Sequence, residues 1–486
     1  MSNFNLVDFS TAVSSFIPSH LKNSSSTRSI VDVELAESHI LPPTTKQPTR
    51  ELLQKSLWLL GHNLTSFTSD VVSHIVVGPK RRSWPLLLTL FNSFMRNVTA
   101  HYHLANLKRM RRAACFPVLM PLWDVIITPA SFKVRPIGLP GILAEMDAQE
   151  DGREIDAEWV VDGSVWRQES HCFCTAEIVE DGRGNQEKIV LYFHGGAYYL
   201  MSAKTHRELV SRVSKATGRR VFSVDYRLSP ENPFPSALQD AVRSFFYLID
   251  TKGGPGFKPQ NITVMGDSAG GNLALTMMLY LRDQGFPLPE ACVLFSPWVD
   301  LSMSFPSWDT NSEYDYLPKP KPDDPLNPMI LYLHSTRYSP RHPYVSPLFH
   351  SNLSGLPPVL IQCGDAEVLR DEIVALARKF HEKSNTFFVF EKYDDMIHVF
   401  HGFPFLEATR KALESVGHFT RFSVPAYYFA KGKYLPHSNR PSMGAATGKA
   451  VTTDMIPTEK CAPKRPALRS SHSQPNLHRI MGFSGL

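Results

Sequence analysis

Gly266-Asp267-Ser268-Ala269-Gly270 sets a serine between two glycines, at the junction of a strand-like stretch and a helix-like one. Asn261 to Met265 alternates as a short buried strand does, and Gly271 to Tyr280 continues with Leu, Ala, Thr and Met at helical spacing. In that context Gly-x-Ser-x-Gly reads as a nucleophile elbow. The tight turn strains the serine backbone, exposes its hydroxyl at the carboxyl edge of a sheet and leaves room only for hydrogen at the glycines. In 486 residues with 27 glycines the pentapeptide alone arises readily by chance, so the reading depends on its partners.

The first partner lies upstream. Lys188 to Phe193 is an apolar strand that runs into His194-Gly195-Gly196-Ala197-Tyr198-Tyr199. Two adjacent glycines after a strand free backbone N–H groups to face a developing oxyanion, and losing one such donor typically costs about 2.7 to 4 kcal/mol of barrier. Gly195, Gly196 and Ala269, the residue after the serine, are the expected donors. A Gly-Gly turn by itself is ordinary loop punctuation; the serine downstream gives it a chemical reading.

Together with Asp225-Tyr226-Arg227-Leu228-Ser229-Pro230-Glu231-Asn232-Pro233-Phe234-Pro235, these motifs resemble the hormone-sensitive-lipase-like branch of the α/β-hydrolase fold over roughly residues 155 to 420. Asn232 stands where members often carry histidine. The resemblance implies an α/β fold: a mostly parallel sheet of the eight-stranded type flanked by helices, with a Ser, acid, His triad in that chain order. Tyr393-Asp394-Asp395-Met396-Ile397-His398-Val399-Phe400-His401-Gly402-Phe403 offers two histidines. The Met-x-His-Val-Phe pattern of the family points to His398, while the position before Gly-Phe keeps His401 as the alternate. The strand Pro358 to Cys363 is followed by Gly364-Asp365-Ala366-Glu367-Val368-Leu369-Arg370-Asp371-Glu372. Alignment on Leu-Arg-Asp-Glu places the family's acid at Glu367, with Asp365 the alternate; either carboxylate can accept an imidazole N–H and stabilise the imidazolium. Asp371 and Glu372 suit the first turn of the next helix.

This constellation needs no cofactor or metal. Cys172-x-Cys174 lacks a second cluster at ligand spacing, and two residues apart in a strand merely share a face. Six cysteines in so long a chain do not form a disulfide framework, and Met1 to Pro18 has neither the basic start nor the apolar core of a signal peptide. Sequons such as those at Asn63 and Asn97 do not alter that reading. The expected location is intracellular, cytoplasmic or peripheral to a membrane such as the endoplasmic reticulum, and not secreted.

Four segments are expected. Residues 1–45, rich in Ser, Thr and Pro, read as a flexible leader. Residues 46–150 read as a helical cap or a membrane-peripheral segment. Here Lys80-Arg81-Arg82 introduces Trp84 to Phe91, and apolar positions continue through Phe94, Met95, Val98, Leu104 and Leu107 to a basic cluster at Lys108, Arg109, Arg111 and Arg112. One reading is a cap packed over the active site; the other is an interfacial helix pair docking its basic ends on anionic lipid. No run approaches the roughly 18 apolar residues of a spanning helix. Residues 151–428 form the catalytic domain, with a proline-rich insertion between Trp298 and Leu356 that reads as a lid. Residues 429–486 read as a disordered tail. From Lys431 onward it carries nine Lys and Arg against only Asp454 and Glu459, a net +7, which leaves about −2 for the rest of a chain of net charge +5. A basic tail on a slightly acidic body argues against a nucleic-acid partner for the catalytic region.

The expected function is a serine carboxylester hydrolase acting through an acyl-enzyme on a hydrophobic ester, with a short-acyl lipid or steryl ester as candidate. Tyr198, Tyr199 and Trp298 are candidate walls of its pocket. The rival is a small-molecule receptor on a decommissioned hydrolase scaffold; such receptors typically lose the histidine, which here is present.

Overall fold

The computed structural model describes residues 67–100, 107–114, 122–150, 152–173, 186–432 and 477–482. Its strands are β1 (Val125–Lys133), β2 (Glu154–Asp162), β3 (Ile189–Phe193), β4 (Val221–Val224), β5 (Ile262–Asp267), β6 (Ala291–Phe295), β7 (Val359–Gly364), β8 (Phe388–Tyr393) and β9 (Leu477–Gly482). The principal helices are α1 (Leu86–Ala100), α2 (Leu107–Ala114), α3 (Gly163–Phe173), α4 (Arg207–Thr217), α5 (Ser236–Ile249), α6 (Ala269–Asp283), α7 (Arg370–Lys383) and α8 (Glu407–His418).

The sheet runs β1-β2-β4-β3-β5-β6-β7-β8-β9. The strands β4, β3, β5, β6, β7 and β8 are mutually parallel, β2 runs against both its neighbours, and β9 pairs antiparallel with β8. The sheet is therefore mixed rather than wholly parallel. Period-two alternation sorts the side chains into two cores. Ile189, Leu191 and Phe193 join α5, α6 and α7 on one face, while Val190 and Tyr192 join α4 and α8 on the other. Both faces are covered, which is why these strands read as unbroken apolar runs.

Four expectations need correction. The hydrolase body does not begin at residue 151: β1 pairs with β2 along its whole length, and Phe132, Val134 and Leu143 are buried in the larger core. Pro129 inside β1 hides the strand from a pattern search, but an edge strand tolerates proline because one side of its backbone needs no partner. The tail from 429 is not structureless throughout. β9 closes the edge of β8, and pairing with a neighbour supplies what local composition does not. The insertion 298–356 is no free flap. It buries Val299, Leu301, Trp308, Tyr332, Val345 and Leu348, and contains two short helices, Ser307–Thr310 and Pro328–Tyr332. Cys172 lies in α3 rather than a strand, and Cys174 falls outside the described residues.

Of the cap segment, residues 46–66 and Leu104 lie outside the described residues, and 67–76 is helical. No described helix is long and apolar enough to cross a membrane.

Candidate active site

β5 ends at Asp267 and α6 begins at Ala269, so Ser268 alone makes the turn, at φ 53° and ψ −120°. This left-handed backbone is costly for a residue with a side chain and persists only where its surroundings impose it. They do so by contact. A Cβ on Gly270 would lie 2.0 Å from the carbonyl oxygen of Phe193, and one on Gly266 would lie 2.3 Å from that of Gly270. The glycines therefore let α6 start directly against β3. The turn is tied down by two backbone bonds, Ser268 N to Phe295 O (2.9 Å) and Trp298 N to Ser268 O (3.0 Å).

The loop after β8 brings His398 Nε2 to 3.0 Å from Ser268 Oγ. His401 is carried elsewhere. Its Nε2 lies 3.1 Å from Gln362 Oε1, its ring packs on Phe295 and Phe400, and burial pushes its pKa down to about 3. The loop after β7 sets Glu367 Oε2 3.7 Å from His398 Nδ1, with Glu367 completely buried. That separation is an ion-pair contact, longer than a hydrogen bond; neither Nδ1 nor Glu367 Oε1 has a hydrogen-bond partner among the described residues. Loose catalytic hydrogen bonds commonly tighten when substrate binds. Asp365 turns away, accepting the backbone N–H of Asp395. Burial pulls the pKa of His398 down, but Glu367, Asp315 and Asp267 outweigh it and the net shift is upward.

The turn after β3 departs from expectation by one residue. The N–H of Gly195 donates to Asp267 Oδ1 at 3.1 Å and also contacts His206 Nε2 at 3.3 Å, so Gly195 supports the elbow rather than facing the reaction. Tyr192 donates to the same carboxylate oxygen at 2.7 Å. Burial opposes both charges of the Asp267 and His206 pair, yet His206 is shifted up and Asp267 down by each other. The N–H groups of Gly196, Ala197 and Ala269 have no partner among the described residues. Gly196, Ala197 and Tyr198 all have positive φ, and a Cβ on Gly196 would lie 2.2 Å from the carbonyl oxygen of Leu200.

Residues 190–402 match the α/β-hydrolase fold family. An acetyl-hydrolase of Streptomyces hygroscopicus is 40% identical over 253 residues, 51% of this chain and 80% of its own length. An esterase of Acinetobacter venetianus is 34% identical over 268 residues, covering 55% of this chain and 74% of its own. Among solved structures, an esterase from the bacterial hormone-sensitive lipase family is 30% identical at a TM-score of 0.53, over 70% of this chain and 99% of its own. The chain belongs to the α/β-hydrolase fold family. Its place is the hormone-sensitive-lipase-like branch, and it is a hydrolase of the carboxylic-ester class.

The expected pocket walls of this α/β-hydrolase fare unequally. Tyr198 is core: it is 1% exposed, stacks on Tyr332 at 3.9 Å between centroids, and donates to Asn272 Oδ1 at 2.7 Å. Aromatic residues after a glycine turn look alike in sequence whether they point inward or outward. Tyr199 packs with Leu107 and Leu331 beneath α2, and burial pushes its phenol up to about 12. Trp298 is 4% exposed; its backbone N–H holds Ser268, and its indole N–H has no partner among the described residues.

Sequence reasoning missed three residues. Ser296 Oγ donates to Glu367 Oε2 at 2.6 Å and accepts from Val399 N at 3.2 Å, tying the acid loop to the histidine loop. Asp267 was in view as the variable position of the elbow, and only its burial shows what it does. Asp315, from the insertion, is buried against both loops. No spacing rule reaches it, because it is joined to the triad loops by folding alone.

Proposed function

We propose that this chain cleaves hydrophobic carboxylic esters with Ser268 as nucleophile, His398 as general base and acid, and Glu367 as the carboxylate behind the histidine. The observation that carries this reading is the 3.0 Å contact of His398 Nε2 with the hydroxyl of a serine held at positive φ. Ser268 Oγ attacks the ester carbonyl as His398 Nε2 takes its proton, and Glu367 stabilises the imidazolium. The N–H groups of Gly196, Ala197 and Ala269 receive the tetrahedral oxyanion. His398 then protonates the departing alcohol, activates water against the acyl-enzyme and returns the proton to Ser268.

Relatives named acetyl-hydrolase and esterase support a small acyl group. The apolar α1 favours a hydrophobic alcohol portion, such as a sterol or another lipid alcohol. We propose in addition a peripheral lipid contact through the stretch 67–98. Val72, Ile75, Val76 and Val77 are 60 to 83% exposed there, and the basic Lys80 and Arg82 are exposed beside them.

A fluorophosphonate probe tests the chemistry: it should label wild type and not Ser268→Ala. Absence of labelling in folded wild-type protein, with ligand binding but no turnover across an ester panel, would replace the enzyme by the receptor reading. An acyl-chain series of p-nitrophenyl esters followed by a steryl acetate tests the substrate class. Preference for long acyl chains would exclude the short-acyl reading.

A further inference from the structure

Asp315 is 1% exposed and accepts three backbone N–H groups from three places. Its Oδ2 takes Val368 N at 2.8 Å, while Oδ1 takes Tyr316 N at 2.8 Å and His398 N at 3.3 Å. Val368 follows the acid Glu367, and His398 is the histidine itself. One carboxylate therefore grips the backbone of the two loops whose side chains must meet. The same insertion grips the acid loop again through Asn311, whose Nδ2 donates to Asp365 O at 3.0 Å and Glu367 O at 2.7 Å.

The insertion is in turn held from outside by α1. Asn92 donates to Tyr314 O at 2.6 Å, Thr99 to Tyr316 O at 3.0 Å, and Arg96 to Asp315 O at 3.1 Å and to Ser312 O. Arg81 lies over the ring of Tyr314 at 3.8 Å. A chain of direct contacts thus leads from the cap helix to the backbone of His398.

We infer that Asp315 is a positioning residue for the triad: its carboxylate sets the separation of the acid and histidine loops, and its charge favours the imidazolium of His398. The inference rests on the hydrolase reading above. The groups that face Asp315 are His398 from the histidine loop, Glu367 from the acid loop, Tyr316 from its own segment, and Arg96 from α1, which meets its carbonyl. Burial lifts the Asp315 carboxyl to about 6, with His398 pulling the other way. An ordinary loop staple would need the hydrogen bonds but not the charge, and that difference separates the two roles.

Asp315→Asn keeps the shape and removes the charge, and its amide NH2 would face an N–H that needs an acceptor. With p-nitrophenyl acetate, kcat should fall about 10- to 100-fold, the size of effect expected when catalytic groups shift by about an ångström. KM should stay within about twofold, and the acid limb of the kcat/KM profile should move to lower pH because the imidazolium has lost a stabilising charge. Unchanged kcat and an unmoved limb, with only a lower Tm, would make Asp315 a loop staple and overturn the inference. Should Asp315→Asn not fold, Arg96→Ala decides. It loosens the segment from outside, and is expected to lower kcat with KM held; kcat equal to wild type would overturn the inference. Fluorophosphonate labelling of wild type is run first. Failure there removes the hydrolase reading itself, whereas labelling with an indifferent Asp315→Asn removes only this inference.

Discussion

His398 is buried, and burial by itself would lower the pKa of its imidazole; the neighbouring carboxylates reverse the shift and carry it above 6.5. In the mechanism we propose, His398 must be neutral to take the proton of Ser268, so hydrolysis should fail as pH drops through this raised value. The acid limb of kcat/KM is expected above pH 6.5, to be read from a pH series with p-nitrophenyl acetate. Glu367→Gln removes a charge that raises the imidazole, so the limb should move down, and kcat should fall by roughly 10³- to 10⁴-fold. His401 responds differently. Held neutral to about pH 3, it contributes nothing to that limb. His401→Ala should cost about 1–3 kcal/mol in chemical denaturation by taking the His401 partner from the buried Gln362 Oε1, yet leave Ser268 open to the fluorophosphonate. Loss of labelling in folded His401→Ala would reverse the assignment of the two histidines.

Between elements, close approach and buried charge dominate. The start of α6 is pressed against β3 so tightly that a Cβ at Gly270 has no room. The obstruction is backbone carbonyl oxygen, which no rotamer change removes. Gly270→Ala should therefore cost about 1–3 kcal/mol and displace the elbow, observed as a lower denaturation midpoint together with loss of labelling. A second contact lies at the opposite ends of the central strands. There Glu290, fully buried, is held by Arg219 Nη1 at 2.9 Å and by Lys188. Arg219 also donates to Thr263 at 2.7 Å. Truncating Arg219 to alanine leaves a buried carboxylate with half its compensation, at an expected cost of about 3–5 kcal/mol in urea unfolding. Since this network is remote from Ser268, the labelling rate of the folded fraction should not change.

For the molecule as a whole, the N-terminal helices connect the hydrolase body with an exposed apolar margin. Trp84 and Leu88 are buried against Met396, Ile397 and Phe400, and Trp84 Nε1 donates to Asp395 O at 2.5 Å. α1 is thereby fastened to the histidine loop. α2 is fastened to the other side of the elbow, where Arg111 bonds Glu231 at 2.7 and 2.8 Å, Ser229 O at 2.8 Å and Tyr199 O at 2.9 Å. Preceding α1, Val76 and Val77 are 77% and 83% exposed with Lys80 next to them. If this margin meets anionic lipid, the chain should float with vesicles containing phosphatidylserine, and Val76→Asp with Val77→Asp should abolish flotation. Added salt should weaken it, as expected for exposed charges. Equal recovery of the double variant would eliminate the contact.

The fold class was legible through the family resemblance, and the elbow around Ser268 was legible in the linear sequence because a turn of this kind is a local matter. An elbow needs glycines two residues either side of centre, and a strand buried on both faces needs an unbroken apolar run. What folding decided was contact between distant segments. β1 hid behind Pro129 and β9 behind a basic, serine-rich tail, since edge strands are defined by the neighbour they pair with. The N–H of Gly195 is committed to Asp267, and an N–H carries no sequence mark of its direction. The aim of Glu367 at the imidazole and of Asp365 at a turn depended on loop geometry that two carboxylates two residues apart do not reveal. Asp315 reaches His398 from an insertion, across a stretch of chain no spacing rule spans. Chemical identity and local period are written residue by residue; direction, partner and burial exist only once the chain has closed on itself.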